Sequence, residues 1–231
     1  MLIFAHRGAS ADLPENTLPA FEEAIRQGAD AIEFDVFECD NQFVVIHDKW
    51  VQRTTNGRGQ LSDFSFESLR QLDAGQGQSI PTLSEVLSLI GQRCDINIEV
   101  KADCCINSLI SEIQRCQVTS SIKDEQLMIS SFHHPVLRSI KGVAPQWRYG
   151  ALTAQYALDK NQFAEVLGAW SVNIDLSIVD QGLVEDAHRR GLKAFVYTVD
   201  EPEDLLQLKS WGVDGVFTNK PARSREVLAE T

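Results

Sequence analysis

The sequence predicts a single (β/α)8, or TIM, barrel, and three observations carry that expectation. Short runs rich in branched and aromatic residues begin near positions 2, 31, 96, 127, 148, 172, 193 and 215, which makes eight strands. Stretches with helical spacing of apolar residues lie between them, as parallel strands joined by right-handed crossovers require. The chain has 231 residues, long for one ordinary domain but normal for one such barrel.

Leu2 to Ala5 form the first extended run, and His6-Arg7-Gly8-Ala9-Ser10 follow as a loop in which Gly8 permits close backbone approach. Thr17 caps a helix with Pro19 in its first turn and Gly28 just past its end; Leu18, Phe21, Ala24 and Ile25 supply its apolar face. Ala31 to Val36 complete a βαβ unit. Here Ile32, Phe34 and Val36 alternate with Glu33 and Asp35, so the period of two aims both carboxylates at one face.

Phe43 to His47 cannot be the next parallel strand, because only Phe37 to Gln42 precede it and a parallel crossover needs a dozen or more residues. It returns as an antiparallel hairpin. The domain, 1–231, is therefore expected to carry an insertion, 38–79, with a turn-rich loop at Thr54 to Gly59 and a short helix over Ser65 to Leu72. Trp50, Phe64, Phe66 and Leu69 read as that insertion's own small core.

From Pro81 the alternation is regular. Helices are predicted over Thr82–Leu89, Ile106–Arg115, Pro135–Ile140, Asn161–Leu167, Leu183–Arg190, Pro202–Trp211 and Ala222–Ala229. Strands are predicted over Ile96–Lys101, Leu127–Ser131, Arg148–Leu152, Val172–Asp175, Lys193–Thr198 and Gly215–Thr218.

Composition narrows the function classes. Acidic residues outnumber basic ones 33 to 21, a net charge of −12 that repels nucleic acid and anionic membranes. No apolar run approaches the ~20 residues of a membrane span, and the opening Met-Leu-Ile-Phe-Ala-His lacks a basic leader. The cytoplasm is the expected compartment, with the five cysteines reduced. A small anionic substrate fits if Arg, Lys or a metal reverses the potential locally. Barrels of this kind often dimerise, so a homodimer is compatible with the fold, although no apolar surface stripe announces one.

Chemistry in such barrels gathers at the C-terminal ends of the strands. His6, Arg7, Glu33, Asp35, Glu99 and Lys101 all fall there, and the hairpin brings His47 back over the same mouth. Burying like charges costs several kcal/mol unless something positive sits between them. If histidines bound a metal, zinc or iron would be favoured; if carboxylates alone bind it, oxygen donors select calcium or magnesium. The second arrangement is favoured because it leaves His6 and His47 free as acid and base. Arg7 and Lys101 would then hold phosphate oxygens.

His6-Arg7-Gly8, Glu15-Asn16-Thr17, Glu33-Phe34-Asp35-Val36, His47-Asp48, Glu99-Val100-Lys101 and Gly212-Val213-Asp214-Gly215 occur in this order. In this the chain resembles the compact cytoplasmic form of the glycerophosphodiester phosphodiesterases over nearly its whole length. The resemblance implies a barrel with a small insertion after the second strand, and hydrolysis of deacylated phospholipids to sn-glycerol 3-phosphate and an alcohol. It implies Glu33, Asp35 and Glu99 as ligands of one divalent cation, Mg2+ or Ca2+, and His6 and His47 as the catalytic pair; analogy with related barrel phosphodiesterases, rather than the sequence itself, assigns His6 as the base and His47 as the acid. Arg7 and Lys101 match phosphate-binding positions, and Glu15 and Asn16 match positions close to the site. In this picture the substrate's own glycerol hydroxyl attacks phosphorus and water opens the resulting cyclic phosphate.

The chain departs from the family pattern in one region. Tyr197-Thr198-Val199-Asp200 stands where Trp-Thr-Val-Asn is usual, and Thr218-Asn219-Lys220-Pro221 where Thr-Asp-x-Pro is usual. Tyr197 still offers an aromatic wall to the substrate, whereas Asp200 is expected to add negative charge near the mouth. Two rivals stand beside the main reading. One is a phosphodiesterase of the same fold acting on lysophospholipids or phosphoinositides, which calls for a greasy rim or a basic patch. The other is a catalytically silent sugar-phosphate-binding barrel, which would be expected to lack one of the three carboxylates and two histidines; all five are present.

Overall fold

The computed structural model describes residues 1–101 and 104–230. In chain order the elements are β1 (Leu2–His6), α1 (Leu18–Arg26), β2 (Ala31–Cys39), β3 (Gln42–Val45), α2 (Phe66–Arg70), α3 (Leu83–Ile90) and β4 (Asp95–Val100). There follow α4 (Ile106–Ser120), β5 (Leu127–Ser131), α5 (His134–Val143), β6 (Arg148–Thr153), α6 (Gln162–Leu167) and β7 (Ser171–Asp175). The chain closes with α7 (Gln181–Arg189), β8 (Lys193–Tyr197), α8 (Pro202–Ser210), β9 (Gly215–Thr218) and α9 (Pro221–Ala229).

Strands β1, β2, β4, β5, β6, β7, β8 and β9 pair in that order, all parallel, and β9 returns to β1 through Leu2↔Gly215 to Ala5↔Thr218. The result is a closed eight-stranded barrel with helices outside. Period-two alternation explains its two layers of packing. Outward-facing Ile32, Phe34, Ile98, Ile129, Val172 and Val196 meet the apolar faces of the helices, including Phe21, Leu87, Ile113, Leu137 and Leu205, in one continuous core. Inward-facing Phe4, Ala31, Met128, Phe195 and Phe217 fill the barrel floor. The next inward residues toward the C-terminal mouth are polar: Glu33 and Asp35 on β2, Asn97 and Glu99 on β4.

Helix starts obey local rules. The Thr17 hydroxyl accepts from the Ala20 N–H ahead of α1, and Thr82 and Glu85 form a reciprocal capping box on α3. Helix α4 outlasts the sequence expectation by five residues, to Ser120, where Ser121 takes a left-handed conformation (φ 55°) and ends it.

Strand β2 also runs past Val36, because its far half pairs antiparallel with β3 from Val36↔Val45 to Cys39↔Gln42. Asp40 and Asn41 form the exposed turn, both with positive φ (52° and 59°), the backbone that a two-residue hairpin of this twist demands. Beyond it, Cys39, Val44, Ile46, Val51, Leu61, Leu69, Ala74 and Ile80 make a separate small core, with Phe64 and Phe66 packed on it. Trp50 does not join that core, contrary to the sequence reading. Its backbone bridges Gln60, and its half-exposed ring borders a shallow hollow shared with Phe37, His47, Arg53 and Lys101. Arg70 on α2 donates to both oxygens of Glu85 on α3 (2.8 and 2.7 Å), tying the inserted segment to the barrel wall. Among the described residues, no helix is long and apolar enough to cross a membrane.

Candidate active site

The C-terminal mouth opens on a cavity of about 550 Å³. Its polar side comes from neighbouring strands β1, β2 and β4 and from the hairpin, as His6, Arg7, Glu33, His47, Glu99 and Lys101. The other side, from β5 to β8, presents Phe132, Leu152, Leu176 and Tyr197, with Asp175 and Ser177 among them. The Tyr197 hydroxyl donates to the Thr153 carbonyl oxygen (2.8 Å), and Phe132 meets its ring edge-on at 5.9 Å, so this wall is braced.

The β1–α1 loop delivers Arg7. Arg7 itself sits at φ 59°, which turns its N–H onto Glu33, at 2.9 Å from the backbone oxygen and 3.0 Å from Oε2. Gly8 follows at φ 85°, and a Cβ there would lie 2.7 Å from the backbone carbon and oxygen of Ala20. Only glycine lets the loop close this tightly on α1.

Parallel register builds the acidic cluster. His6 pairs with Glu33 between β1 and β2, and Asp35 with Glu99 between β2 and β4. Carboxylate oxygens of Glu33, Asp35 and Glu99 lie within 4.8 Å of one another, all but sealed from solvent. Two cations lean on them. Lys101 Nζ donates to Glu99 Oε1 (2.6 Å) and lies 3.3 Å from Asp35 Oδ1, and Arg7 Nε lies 3.3 Å from Asp35 Oδ2. Asn16 Nδ2 donates to the same Oδ2 at 2.9 Å.

These partners do not balance the cluster. Burial, then the charges of Asp35 and Glu99, push the Glu33 carboxyl well above its ordinary range. Burial and Asp35 push Glu99 up to about 7. Burial acts on Asp35 in the same sense but is outweighed by Lys101, Arg7 and His47, which hold it low. Asp35 Oδ1 remains buried without a hydrogen-bond donor. A carboxylate trio with an unsatisfied oxygen fits a divalent cation, and the donors are all oxygen, the set that hard ions such as Mg2+ and Ca2+ take. A divalent ion would turn three negative and two positive charges into a net single positive, matched to one phosphodiester anion.

The two histidines are held differently. His6 Nδ1 lies 2.8 Å from Asn219 Oδ1, and burial followed by the neighbouring Arg7 charge lowers its pKa to about 4. His47 Nδ1 lies 2.5 Å from Asp48 Oδ1; burial, with the Lys101 and Arg7 charges, lowers its pKa, and the carboxylates of Asp35 and then Asp48 oppose the fall. His6 thus has an amide for a partner and His47 a carboxylate.

Seven of the residues singled out in the sequence line the cavity: His6, Arg7, Glu33, His47, Glu99, Lys101 and Tyr197. Asp35 lies buried just beneath them. Glu15 stands behind Arg7 instead, accepting from Arg7 Nη1 (2.9 Å) and from both terminal nitrogens of Arg53 (2.7 and 2.8 Å). Arg53 also binds Asp48 through Nε. A continuous chain of ion pairs therefore joins Arg7 to His47 through Glu15, Arg53 and Asp48. Sequence reasoning missed Arg53, which sits in a one-turn helix at Val51–Arg53 with no periodic signal to mark it.

Asp200, expected to add negative charge near the mouth, is not among the cavity-lining residues. Its Oδ1 accepts from the Thr218 hydroxyl (3.0 Å) and the Asn219 N–H (2.8 Å), and its Oδ2 from Asn219 Nδ2 (2.6 Å). Three donors on the adjacent β9 terminus hold the carboxylate there.

Comparison with known proteins identifies the family. A glycerophosphodiester phosphodiesterase of Caldanaerobacter subterraneus is 39% identical over 229 residues, covering 95% of this chain and 94% of the relative. One from Bacillus altitudinis is 33% identical, covering 99% and 98%. Among solved structures, a phosphodiesterase of Oleispira antarctica in complex with the product sn-glycerol-3-phosphate superposes with a TM-score of 0.91 at 29% identity, over 99% of this chain and 97% of that one. The model of the glycerophosphoryl diester phosphodiesterase family matches residues 6–223, which spans every residue of the cavity, and the chain belongs to that family.

Proposed function

We propose that the protein hydrolyses glycerophosphodiesters, the deacylated phospholipids, to sn-glycerol 3-phosphate and an alcohol. The observation that carries this reading is the joining, in one cavity, of a buried carboxylate trio, two cations and two differently held histidines. The relative solved with sn-glycerol-3-phosphate supports the substrate class.

Arg7 and Lys101 hold the phosphodiester oxygens in this reading, the guanidinium by its paired donors and the ammonium as a point charge. Glu33, Asp35 and Glu99 hold one Mg2+ or Ca2+. When bound, that ion supplies positive charge at the phosphoryl oxygens and relieves the repulsion within the cluster. His6, kept neutral by burial and Arg7, takes the proton of the attacking hydroxyl, either water or the substrate's own glycerol hydroxyl. His47, whose imidazolium is stabilised by direct contact with Asp48, gives its proton to the departing alcohol oxygen as the P–O bond breaks. The apolar wall of Phe132, Leu152, Leu176 and Tyr197 excludes water from one side of the substrate. Attack by the glycerol hydroxyl would give a cyclic phosphate, which the same two histidines open with water in exchanged roles.

The test is release of sn-glycerol 3-phosphate from glycerophosphocholine and glycerophosphoethanolamine with Mg2+, with Ca2+ and with a chelator. Metal-dependent release that disappears in Glu33→Ala and His47→Ala is the expected result. Full activity in chelator, with no residual metal by elemental analysis, would remove the carboxylate trio from the mechanism. Cys39, Cys94, Cys105 and Cys116 are free thiols, in keeping with the cytoplasm as the compartment; cell fractionation tests it, and sedimentation tests for a homodimer.

A further inference from the structure

We propose that Asp200 and Asn219 are a positioning pair that fixes the tautomer of His6, keeping hydrogen on Nδ1 and a bare lone pair on Nε2. The inference deepens the reading of His6 as the base and rests on it for its catalytic consequence only.

Asp200 offers acceptors alone. Its Oδ1 is taken by the Thr218 hydroxyl and the Asn219 N–H, and its Oδ2 faces the Asn219 side chain at 2.6 Å. An amide oxygen at that distance would oppose a carboxylate oxygen, so Asn219 must present Nδ2 to Asp200. Asn219 Oδ1 is thereby turned to His6 Nδ1 at 2.8 Å. The Ser10 hydroxyl lies 2.8 Å from that oxygen and 2.8 Å from the His6 carbonyl oxygen, and as donor or acceptor it tolerates either amide orientation. Asp200 alone therefore decides which way the amide points. Facing an acceptor, His6 Nδ1 must carry the hydrogen, and Nε2 is left unprotonated on a ring that lines the cavity.

Three partners on Asp200 and an anchored backbone at Asn219 make this a held arrangement. Asp200 follows the end of β8 and Asn219 the end of β9, neighbouring strands, so the barrel itself fixes their separation. The alternative tautomer, with hydrogen on Nε2, cannot accept a proton from a nucleophile in the cavity. Its population sets the fraction of protein able to use His6 as a base.

The experiment uses 15N-histidine NMR on the full-length protein, with His6 assigned by the signals lost in His6→Gln. The wild type should show a pyrrole-like Nδ1 and a pyridine-like Nε2. In Asp200→Asn, the new side chain must spend its oxygen on Thr218 and the Asn219 N–H, which leaves an NH2 facing Asn219. That amide then rotates and presents NH2 to His6, so the two nitrogen signals should exchange character. kcat should fall about 10²-fold with KM little changed, the size expected when a general base is withdrawn. The exchanged pair Asp200→Asn with Asn219→Asp again places an acceptor at Nδ1 and should restore both the tautomer and most of kcat. Asn219→Leu, which removes the acceptor without adding charge, should give a mixture of tautomers.

A pyrrole-like Nδ1 retained in both Asp200→Asn and Asn219→Leu would overturn the proposal, as would failure of the exchanged pair to restore it. Reversal of the tautomer with unchanged product release would leave the positioning pair standing and remove His6 from the role of base.

Discussion

Glu99→Gln in chelator isolates the electrostatic cost of the acidic cluster as a function of pH. In the unfolded chain a glutamate releases its proton near 4.5, whereas buried Glu99 holds it up to about 7. Across that window the native state binds more protons than the unfolded state, so native stability falls as pH rises. The interval from 4.5 to about 7 corresponds to about 3 kcal/mol at ~1.36 kcal/mol per pH unit. His6 acts in the opposite sense. Its native imidazole stays neutral down to about 4 while the unfolded one binds a proton below 6.5, so its contribution rises with pH across 4 to 6.5. The two slopes offset each other in the wild type, and a single stability curve would hide both. The difference between Glu99→Gln and wild type exposes one of them. In chelator, the variant should gain on the wild type by about 3 kcal/mol between pH 4.5 and 7.5, which is about 6–12 °C in Tm for a chain of this size. Urea unfolding at half-unit pH steps measures it. Saturating Mg2+ or Ca2+ should abolish the wild type's share of the slope, because the ion replaces the proton. A pH-independent difference between the two proteins would refute the account of Glu99 as a carboxyl forced neutral by burial and Asp35.

Three further outcomes follow from the same geometry. Asp48→Asn removes a contact that raises the His47 pKa, so the alkaline limb of the kcat/KM profile should move to lower pH; an unmoved limb would count against His47 as the acid. Arg53→Met should cost only ~1 kcal/mol in urea unfolding, since its ion pairs are half-exposed. It should nevertheless lower kcat/KM ~10-fold by releasing Asp48 and Glu15 together, and a loss of stability without loss of rate would assign Arg53 to structure alone. Gly8→Ala sets a Cβ against the Ala20 backbone at positive φ and should destabilise by about 3 kcal/mol, read as a drop in Tm; a change below ~0.5 kcal/mol would mean the loop relaxes freely.

The sequence made the barrel legible because each strand buries one face on helices and turns the other inward, so period-two runs recur with helical runs between them. Glu33 and Asp35 were readable for the same reason, as charges on an interior period. The hairpin was readable from chain length alone, since Phe37 to Gln42 cannot span a parallel crossover. Periodicity names a face, however, and never a partner. Arg53 acts through Glu15, 38 positions away, and Asn219 through His6, 213 positions away; neither separation leaves a trace in local pattern. Asp200 shows the same limit. Its charge was visible, but the three donors that draw it onto the β9 terminus were not. Trp50 misled in another way, as an apolar residue in an apolar segment whose backbone bridge to Gln60 leaves the ring half-exposed.

Strand β2 serves as a common gauge for two parts of the chemistry. It carries Glu33 and Asp35 into the barrel, and its continuation pairs with β3, whose next residues are Ile46 and His47. The Ile46 N–H donates to the Asp35 carbonyl oxygen at 3.1 Å, so the reach of the histidine is measured from the backbone of a cluster residue. A slip of one residue in this ribbon would turn side chains to the opposite face and shift His47 along its track at once. Growth of chain in the appendage is therefore admissible at one port in the ribbon, the exposed Asp40-Asn41 tip, which lies beyond the pairing that sets the gauge. A foreign module spliced there would ride on the enzyme while His47 kept its distance from the barrel.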